Sequence, residues 1–90
     1  MNRKLIFNGR SWDDYTYWQT QDRKTLKRIN KLLDDIARQG NEGIGKPEAL
    51  SENLSGWWSR RIDDENRLIY RLKDSETVEI AQCRSHYGDK

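Results

Sequence analysis

The only histidine of this 90-residue chain, His86, lies near the C-terminus and is followed directly by Tyr87. Imidazole titrates near neutral pH, which suits a general acid or base. A carboxylate, Glu48, lies in the glycine- and proline-framed segment GKPEAL. RNA carries its own nucleophile, the 2′-hydroxyl, so a base, an acid and cations that stabilise charge on phosphorus suffice to cleave it. Carboxylate, imidazole and the arginines of the chain are compatible with this chemistry.

Each of these residues taken alone has an ordinary explanation. Glu48 is one of fifteen acidic residues, and an isolated histidine is more often a surface residue than a catalyst. Arginines on strands usually face solvent beside carboxylate partners, and alternation alone favours that interpretation here. The four tryptophans indicate a core more often than a platform on which bases stack.

The composition predicts one compact domain that spans residues 1–90. Charged residues make up 36% and hydrophobic residues 33%, values that occur in disordered chains. However, the chain has four Trp, four Tyr and one Phe, and only one Pro and six Gly, which favours a folded domain with a polar surface. The net charge of +2 is too small to indicate a polyanionic partner by itself.

The numbers of cysteine and histidine residues limit the cellular compartment and the metal sites that the chain is expected to have. Cys83 is the only cysteine, so no internal disulfide forms, which suits a reducing cytosol. No apolar run is long enough for a membrane span or a signal peptide, and we expect a cytoplasmic protein without a membrane partner. One His and one Cys cannot supply a His/Cys zinc site, and no acidic cluster indicates magnesium; no metal or cofactor is expected.

The N-terminal third predicts a strand and then a helix. The apolar run KLIF at residues 4–7 predicts the strand, and NGR follows as a turn. The spacing predicts a helix over residues 11–20, with Ser11 as its N-cap and Asp13 and Asp14 in its first turn. Three of its aromatic residues recur every third position along one face: Trp12, Tyr15 and Trp18.

The segment DRKTLKRINKLLDDIARQG is the clearest helix, with Gly40 as its C-terminal cap. Its apolar residues follow three-four spacing: Leu26, Ile29, Leu33, Ile36 and Ala37. Its polar face is basic: Arg23, Lys24, Lys27, Arg28 and Lys31. A solvated helix face is the ordinary explanation, and a surface for phosphate backbones is the alternative.

A long loop over residues 41–56, with one extended piece near residues 47–50, separates the helices from the remaining strands. The runs WWSRRI, RLIYRL and TVEIAQCRSHY predict three strands, the last through about Tyr87. Alternation places Arg67 and Arg71 on one face, and Arg61 and Arg84 near the same face or its rim. The predicted class is α+β, with two N-terminal helices packed on one face of an antiparallel four- to five-stranded sheet.

Three segments also resemble a known family when they are read in order. They are SWDDYTYWQTQDRKTLKRINKLLDD, GKPEALSENLSGWWSRRIDDENRLIYRL and IAQCRSHY. Together they resemble the YoeB (Txe/YoeB) toxins of bacterial toxin–antitoxin systems, within the RelE-like superfamily. The resemblance covers nearly the whole chain and implies the RelE/YoeB-like microbial RNase fold.

The resemblance implies a toxin that enters the ribosomal A site and cuts mRNA there without a metal, through the 2′-hydroxyl. In the family motif the carboxylate of GKPE is the general base, here Glu48. The arginine of the RL.Y strand, here Arg67, stabilises the phosphorane. The histidine of the terminal HY pair, here His86, is the general acid, and the tyrosine, here Tyr87, helps to hold the mRNA.

The resemblance further implies that Arg61 and Lys46 contact the substrate. It implies a YefM-like antitoxin with a disordered segment that folds on the toxin, operator DNA bound only through that antitoxin, and a possible homodimer. The chain departs from the family pattern at Ser85, often aromatic, at Ala49, often Pro, and in its tail at residues 88–90. Two other functions stay open: a non-catalytic inhibitor that binds RNA or the ribosome, and a subunit that only joins a partner.

Overall fold

The computed structural model describes residues 2–85. The elements follow in the order β1 (Lys4–Phe7), α1 (Gly9–Gln21), α2 (Arg23–Gln39), β2 (Glu48–Ala49), a 3₁₀ turn (Glu52–Leu54), β3 (Trp58–Arg61), β4 (Arg67–Asp74) and β5 (Thr77–Gln82). The strands form one sheet in the order β1-β5-β4-β3-β2. The α+β class with two N-terminal helices is therefore confirmed, as is the short extended piece within the long loop.

The sheet is mixed rather than fully antiparallel, which corrects one part of the sequence prediction. Strands β2 to β5 pair antiparallel, but β1 pairs in parallel with β5, with Lys4 opposite Thr77. The meander β3-β4-β5 reverses direction at each turn, and its last strand runs in the same direction as β1. Local patterns predict strands well, but they do not carry the direction in which distant strands meet.

Helix α1 begins two residues before the predicted start, because Asn8 rather than Ser11 is the N-cap. The Asn8 side chain accepts from the Ser11 backbone N–H at 2.7 Å, and the Ser11 hydroxyl accepts from the Asn8 N–H at 2.9 Å. This reciprocal pair is a capping box. Asp13 and Asp14 therefore both lie beyond the first turn, which corrects the prediction that they complement the helix dipole, and Asp14 is buried.

Helix α2 has the predicted ends. Its N-cap, Asp22, accepts from the side chain and backbone N–H of Thr25 and from the backbone N–H of Lys24, which lowers the pKa of its carboxyl. Gly40 ends the helix with a φ of 71°, a value that favours glycine. The Gly40 cap confirms the sequence prediction, whereas the Asp22 cap was not predicted.

Both helices pack on one face of the sheet. Strand alternation places one set of side chains under the helices, and most of the core lies there: Trp18, Ile29, Leu32, Ile36, Leu68, Tyr70, Val78 and Ile80. Leu68 and Tyr70 belong to this set, as the alternation in RLIYRL predicted. The opposite side of the sheet is hereafter the distal face. Within residues 2–85, neither helix has the length and apolar character that crossing a membrane requires.

Strand β5 ends at Gln82, so the prediction of a last strand through about Tyr87 is wrong for Cys83 to Ser85. These three residues form a bend, and Ser85 has a left-handed φ of 63°. Side chains of α1 bind the N–H and carbonyl of Cys83, and a side chain of the β3–β4 turn binds the Ser85 N–H. In this bend only the Ser85 carbonyl is bound by a neighbouring strand, through the Arg67 N–H at the start of β4. His86 and Tyr87 lie outside the described residues.

Candidate active site

The distal face brings together three of the residues that the sequence selected. Glu48 pairs with Ser59 across β2–β3, and Arg61 pairs with Arg67 across β3–β4. Directly paired residues project from the same face, and residues two apart on a strand do so as well. Glu48 therefore shares a face with Arg61 and Arg67, and the two rows are roughly 7 Å apart. These three residues are the distal cluster.

The loop before β2 delivers Glu48 to the edge of the sheet. The carbonyl of Gly45 accepts from the Arg61 backbone N–H at 2.7 Å, which ties the loop to β3. Gly45 and Lys46 both have left-handed backbones, with φ of 82° and 53°. A Cβ at Gly45 would lie 2.7 Å from Leu32 Cδ2, so only glycine fits there without a shift. The exposed Lys46 lies two residues before Glu48, which is also exposed.

Arg60 anchors the beginning of the same loop from the helix side of the sheet. Its side chain is fully buried, and all five of its N–H donors have acceptors. Nη2 donates to the carbonyls of Gly40 and Glu42, Nη1 to the carbonyl of Ile44 and to the Asp35 carboxylate, and Nε to the Tyr70 hydroxyl. One side chain thus fixes residues 40–44, the segment that leads to Gly45.

Sequence reasoning missed the role of Arg60. Burial raises the pKa of the Asp35 carboxyl, but hydrogen bonds from Arg60 and the Ile44 N–H outweigh burial and hold that pKa below its ordinary value. Burial also raises the pKa of Tyr70, which keeps its phenol neutral as an acceptor for Arg60. The alternation in WWSRRI contained the signal, because it places Arg60 on the apolar face beside Trp58 and Ile62.

Arg67 is held by main-chain oxygens rather than by a carboxylate. Its side chain is largely buried, and Nη1 donates to the carbonyls of Asp63 at 2.6 Å and Asn66 at 3.1 Å. Across residues 2–85 neither Arg67 nor Arg61 forms an ion pair, whereas Arg71 pairs with Glu79 and its guanidinium lies over Trp57. Pairing with a carboxylate, the ordinary explanation for a strand arginine, therefore applies to Arg71 but not to Arg61 or Arg67.

The bend after β5 is bound tightly to α1. The Cys83 N–H donates to Asp14 Oδ2 at 3.1 Å, and the Cys83 carbonyl accepts from Trp18 Nε1 at 2.8 Å. Burial, together with the nearby Asp14, raises the pKa of the Cys83 thiol to about 12. Arg84 lies over the ring of Tyr17 at 3.6 Å, so its guanidinium contacts α1.

The other side of the bend is bound to the distal cluster. The Ser85 N–H donates to Asn66 Oδ1 at 2.6 Å, and the Ser85 carbonyl accepts from the Arg67 N–H at 3.0 Å. Ser85 is the last described residue, and His86 follows it in the sequence. The structure thus brings Glu48, Arg61 and Arg67 together next to the segment that leads to His86.

A cleft of about 350 Å³ lies beside Glu48 and is lined by residues 48–54. The part of the chain that the structure describes contains no group of three or more His, Cys, Asp or Glu side chains that could hold a metal ion. The arrangement offers an exposed carboxylate and two cations free of acidic partners within residues 2–85. Such groups can bind a phosphodiester and take a proton from a hydroxyl beside it.

Comparisons with known proteins agree on one class. A family model described as "YoeB-like toxin of bacterial type II toxin-antitoxin system" matches residues 7–87. The toxin YoeB of Escherichia coli K12 is 54% identical over 84 residues, which are 93% of this chain and 99% of that protein. The fold and these matches define a toxin of a bacterial type II toxin–antitoxin system.

Solved structures give the same result. A YoeB/ParE toxin from Agrobacterium tumefaciens has a TM-score of 0.90 at 44% identity, covering 93% of this chain and 99% of that one. YoeB from Staphylococcus aureus, solved as a dimer and in a heterotetrameric complex with YefM, has TM-scores of 0.88 and 0.86. Both are 45% identical and cover 97% of this chain and 100% of theirs. The chain belongs to the YoeB-like toxin family, as its motifs predicted.

Proposed function

We propose that this toxin is an endoribonuclease that cuts mRNA in the ribosomal A site and thereby inhibits translation. The reaction is a metal-independent phosphoryl transfer through the RNA 2′-hydroxyl. It leaves a 2′,3′-cyclic phosphate or 3′-phosphate and a 5′-hydroxyl. The observation that carries the proposal is the distal cluster itself: Glu48 shares a face with Arg61 and Arg67, beside the segment that leads to His86.

The proton transfers follow from the chemistry of the side chains. The Glu48 carboxylate takes the 2′-hydroxyl proton while the 2′-oxygen forms a bond to phosphorus. The bond from phosphorus to the 5′-oxygen breaks, and the His86 imidazolium gives its proton to that oxygen. Supporting this assignment, Glu48 is exposed on an edge strand and forms no ion pair within residues 2–85.

Arg67 stabilises the charge that develops on the phosphorus oxygens. Its Nη1 is held by two carbonyls, which orient the guanidinium without neutralising it. A preoriented cation needs little reorganisation during the reaction, which is the main advantage of such groups. Arg61 and Lys46 flank Glu48 and bind the adjoining phosphates, and Tyr87 holds the mRNA beside His86.

The basic face of α2 is the second contact surface in this proposal. Its cations are exposed or half-exposed and form no ion pairs within residues 2–85: Arg23, Lys24, Lys27, Arg28 and Lys31. Such a stripe suits the phosphate backbone of ribosomal RNA. The ribosome would then fix the mRNA for in-line attack, which accounts for cleavage in the A site. This role requires a cytoplasmic toxin.

The partner that restrains the toxin is a YefM-like antitoxin. A partly acidic, disordered segment that folds over the distal face would meet Arg61 and Arg67, which have no ion-pair partner within the described residues. Operator DNA would be bound only through the antitoxin. A homodimer, the state in which the S. aureus relative was solved, is the expected assembly of the free toxin.

The test uses purified toxin, ribosomes programmed with a defined mRNA, and primer extension to map 5′ ends. We expect a cut within the A-site codon that is absent on naked mRNA. Glu48→Ala and His86→Ala should each slow cleavage by about a hundredfold to ten-thousandfold. Glu52→Ala, which changes an exposed carboxylate of the same cleft, is the matched control and should cut like the parent.

Two results would contradict the proposal. If translation stops while the message stays intact, the protein is a non-catalytic inhibitor that occupies the ribosome. If Glu48→Ala and His86→Ala both cut at the parent's rate, the assignment of base and acid is wrong even though the activity is right.

A further inference from the structure

We propose that Asn66 is a positioning residue that holds the segment leading to His86 in register with Arg67. The inference rests on the proposed function, because it concerns how the acid and the phosphate-stabilising arginine are kept together. Asn66 itself is assigned no contact with the RNA and no proton. Its role follows from the bonds that its side chain and carbonyl make.

The Asn66 side chain is fixed in one orientation by the β3–β4 turn. The Asp63 carboxylate accepts from Asn66 Nδ2 at 3.1 Å and from the Asn66 backbone N–H at 2.7 Å. The Asn66 carbonyl accepts from the Ile62 N–H at 3.0 Å. With Nδ2 engaged by Asp63, Oδ1 points the other way, and it accepts from the Ser85 N–H at 2.6 Å.

Ser85 needs such support because its backbone is left-handed, with a φ of 63°. A serine in this region is less stable than in an extended or right-handed helical conformation, so outside contacts must hold it there. Asn66 of the turn and Arg67, the first residue of β4, supply them: Asn66 Oδ1 accepts from the Ser85 N–H, and the Arg67 N–H donates to the Ser85 carbonyl at 3.0 Å. The backbone conformation of Ser85, the residue before His86, is therefore held by Asn66 and Arg67.

The same residue also holds the Arg67 guanidinium. Arg67 Nη1 donates to the Asn66 carbonyl at 3.1 Å and to the Asp63 carbonyl at 2.6 Å. Asn66 is thus bonded both to the proposed phosphate-stabilising group and to the residue before the proposed acid. In-line phosphoryl transfer needs these groups on one phosphate at once, and a displacement of about 1 Å can cost a hundredfold in rate.

Contacts from α1 allow the Asn66 side chain to be removed without releasing the whole bend. Asp14 and Trp18 bind the N–H and carbonyl of Cys83, two residues before Ser85. Arg10 Nη2 also reaches the Ser85 hydroxyl at 3.2 Å. In Asn66→Ala we therefore expect a local change at Ser85 in a folded protein.

The decisive experiment is a double-mutant cycle on ribosome-dependent cleavage. Asn66→Ala should slow cleavage on the order of 10- to 100-fold. In the His86→Ala background the same change should slow it less than about threefold, because a misplaced acid costs nothing once the acid is gone. Glu65→Ala, an exposed neighbour on the same turn, is the matched control and should cut at the parent's rate.

A charge-exchanged variant separates positioning from a general loss of stability. In Asp63→Asn/Asn66→Asp, the new amide at position 63 can donate to the new carboxylate, which still offers an oxygen to the Ser85 N–H. We expect the cleavage rate of this variant to lie within about threefold of the parent's, because the exchanged pair restores the hydrogen bond to Ser85. Hydrogen exchange should show faster exchange of the Ser85 amide, but not of the Cys83 amide, in Asn66→Ala only.

Each outcome decides the matter. Parental cleavage or unchanged Ser85 exchange in Asn66→Ala overturns the role of Asn66 and leaves the proposed function standing. So does a slowing that is equally large with and without His86, since that marks a general structural effect. If the parent protein itself does not cut ribosome-bound mRNA, the proposed function fails and the role of Asn66 fails with it.

Discussion

The indole N–H of Trp18 donates a 2.8 Å hydrogen bond to the carbonyl of Cys83, which joins α1 to the bend after β5. The backbone N–H of Cys83 donates to Asp14, which lies four residues before Trp18 on α1. Both polar groups of the Cys83 backbone are thus satisfied by side chains, where a strand would have used a neighbouring strand. The terminal segment is anchored to a helix, and this sets the starting point of the chain that leads to His86.

Trp18→Phe should test the value of this anchor. Phenylalanine keeps an aromatic ring in the core but removes the N–H, so the buried Cys83 carbonyl loses its partner. An unsatisfied buried polar group costs about 1–3 kcal/mol, and we expect the free energy of unfolding to fall by that amount. Urea denaturation followed by circular dichroism measures it.

Trp12→Phe is the control for this measurement. Trp12 is 52% exposed, meets Phe7 edge to face and stacks with Tyr15, so the change should stay within about 0.5 kcal/mol. If both variants lose the same free energy of unfolding, the indole hydrogen bond of Trp18 makes no measurable contribution to stability.

The long-range contacts of the bend explain what the sequence could and could not predict. Helix α2, its cap at Gly40 and the alternation of β4 rest on local patterns, and all three are confirmed. The extended conformation predicted for Cys83 to Ser85 is wrong, because Trp18 and Asp14 compete for that backbone from far away in sequence. The residue pattern of the last strand does not indicate those two distant partners.

The neighbouring arginines of WSRR should differ on mutation: Arg60→Ala should lower stability, and Arg61→Ala should lower activity. Arg60→Ala leaves the Asp35 carboxylate and the carbonyls of the loop without their buried donor. Each buried acceptor left without a donor costs about 1–3 kcal/mol, and several are affected, so we expect the free energy of unfolding to fall by roughly 3 kcal/mol or more. Arg61→Ala removes an exposed side chain and should change stability by less than about 0.5 kcal/mol.

Cleavage assays complete the comparison. Arg61→Ala should lower kcat/KM for ribosome-dependent cleavage by about 10- to 100-fold, the value of one hydrogen bond to a charged group. Thermal unfolding of both variants, run beside the cleavage assay, separates the two effects. A stable Arg60→Ala protein would refute the anchoring role, and an Arg61→Ala protein with full activity would remove Arg61 from the substrate contacts.

Gly45→Ala should disturb the loop that carries Glu48. The new Cβ would lie 2.7 Å from Leu32 Cδ2, at a backbone φ of 82°. Left-handed strain and the clash together should cost about 2–4 kcal/mol. Because Gly45 is bound to Arg61, we also expect slower cleavage from a displaced Glu48.

Gly56→Ala is the matched control, since Gly56 has a φ of 95° but open space around its Cβ position. Gly56→Ala should lower the free energy of unfolding by only the left-handed backbone strain, about 1–2 kcal/mol, and leave cleavage unchanged. If both variants lose the same stability and activity, the contact with Leu32 is not what shapes the loop.

The distal cluster was only partly readable from residue patterns. Alternation places Arg61 and Arg67 on neighbouring strands, yet it could not tell them from Arg71, which is paired with Glu79. Glu48 reaches the same face only because the loop adds an edge strand of two residues to β3. Its selection came from the family motif, since nothing within GKPEAL specifies which strand it joins.

The buried thiol of Cys83 makes stability depend on pH in the alkaline range. Its pKa rises to about 12 in the folded protein, above the ordinary value of 9.0, because burial and Asp14 disfavour the thiolate. The unfolded thiol loses its proton first, so the stabilisation is complete below about pH 9 and is lost as the pH rises toward 12. At about pH 8 the native thiol should resist iodoacetamide, and the urea-unfolded chain should react readily. Mass spectrometry of both states measures this, and rapid alkylation of the native protein would show that the thiol is accessible.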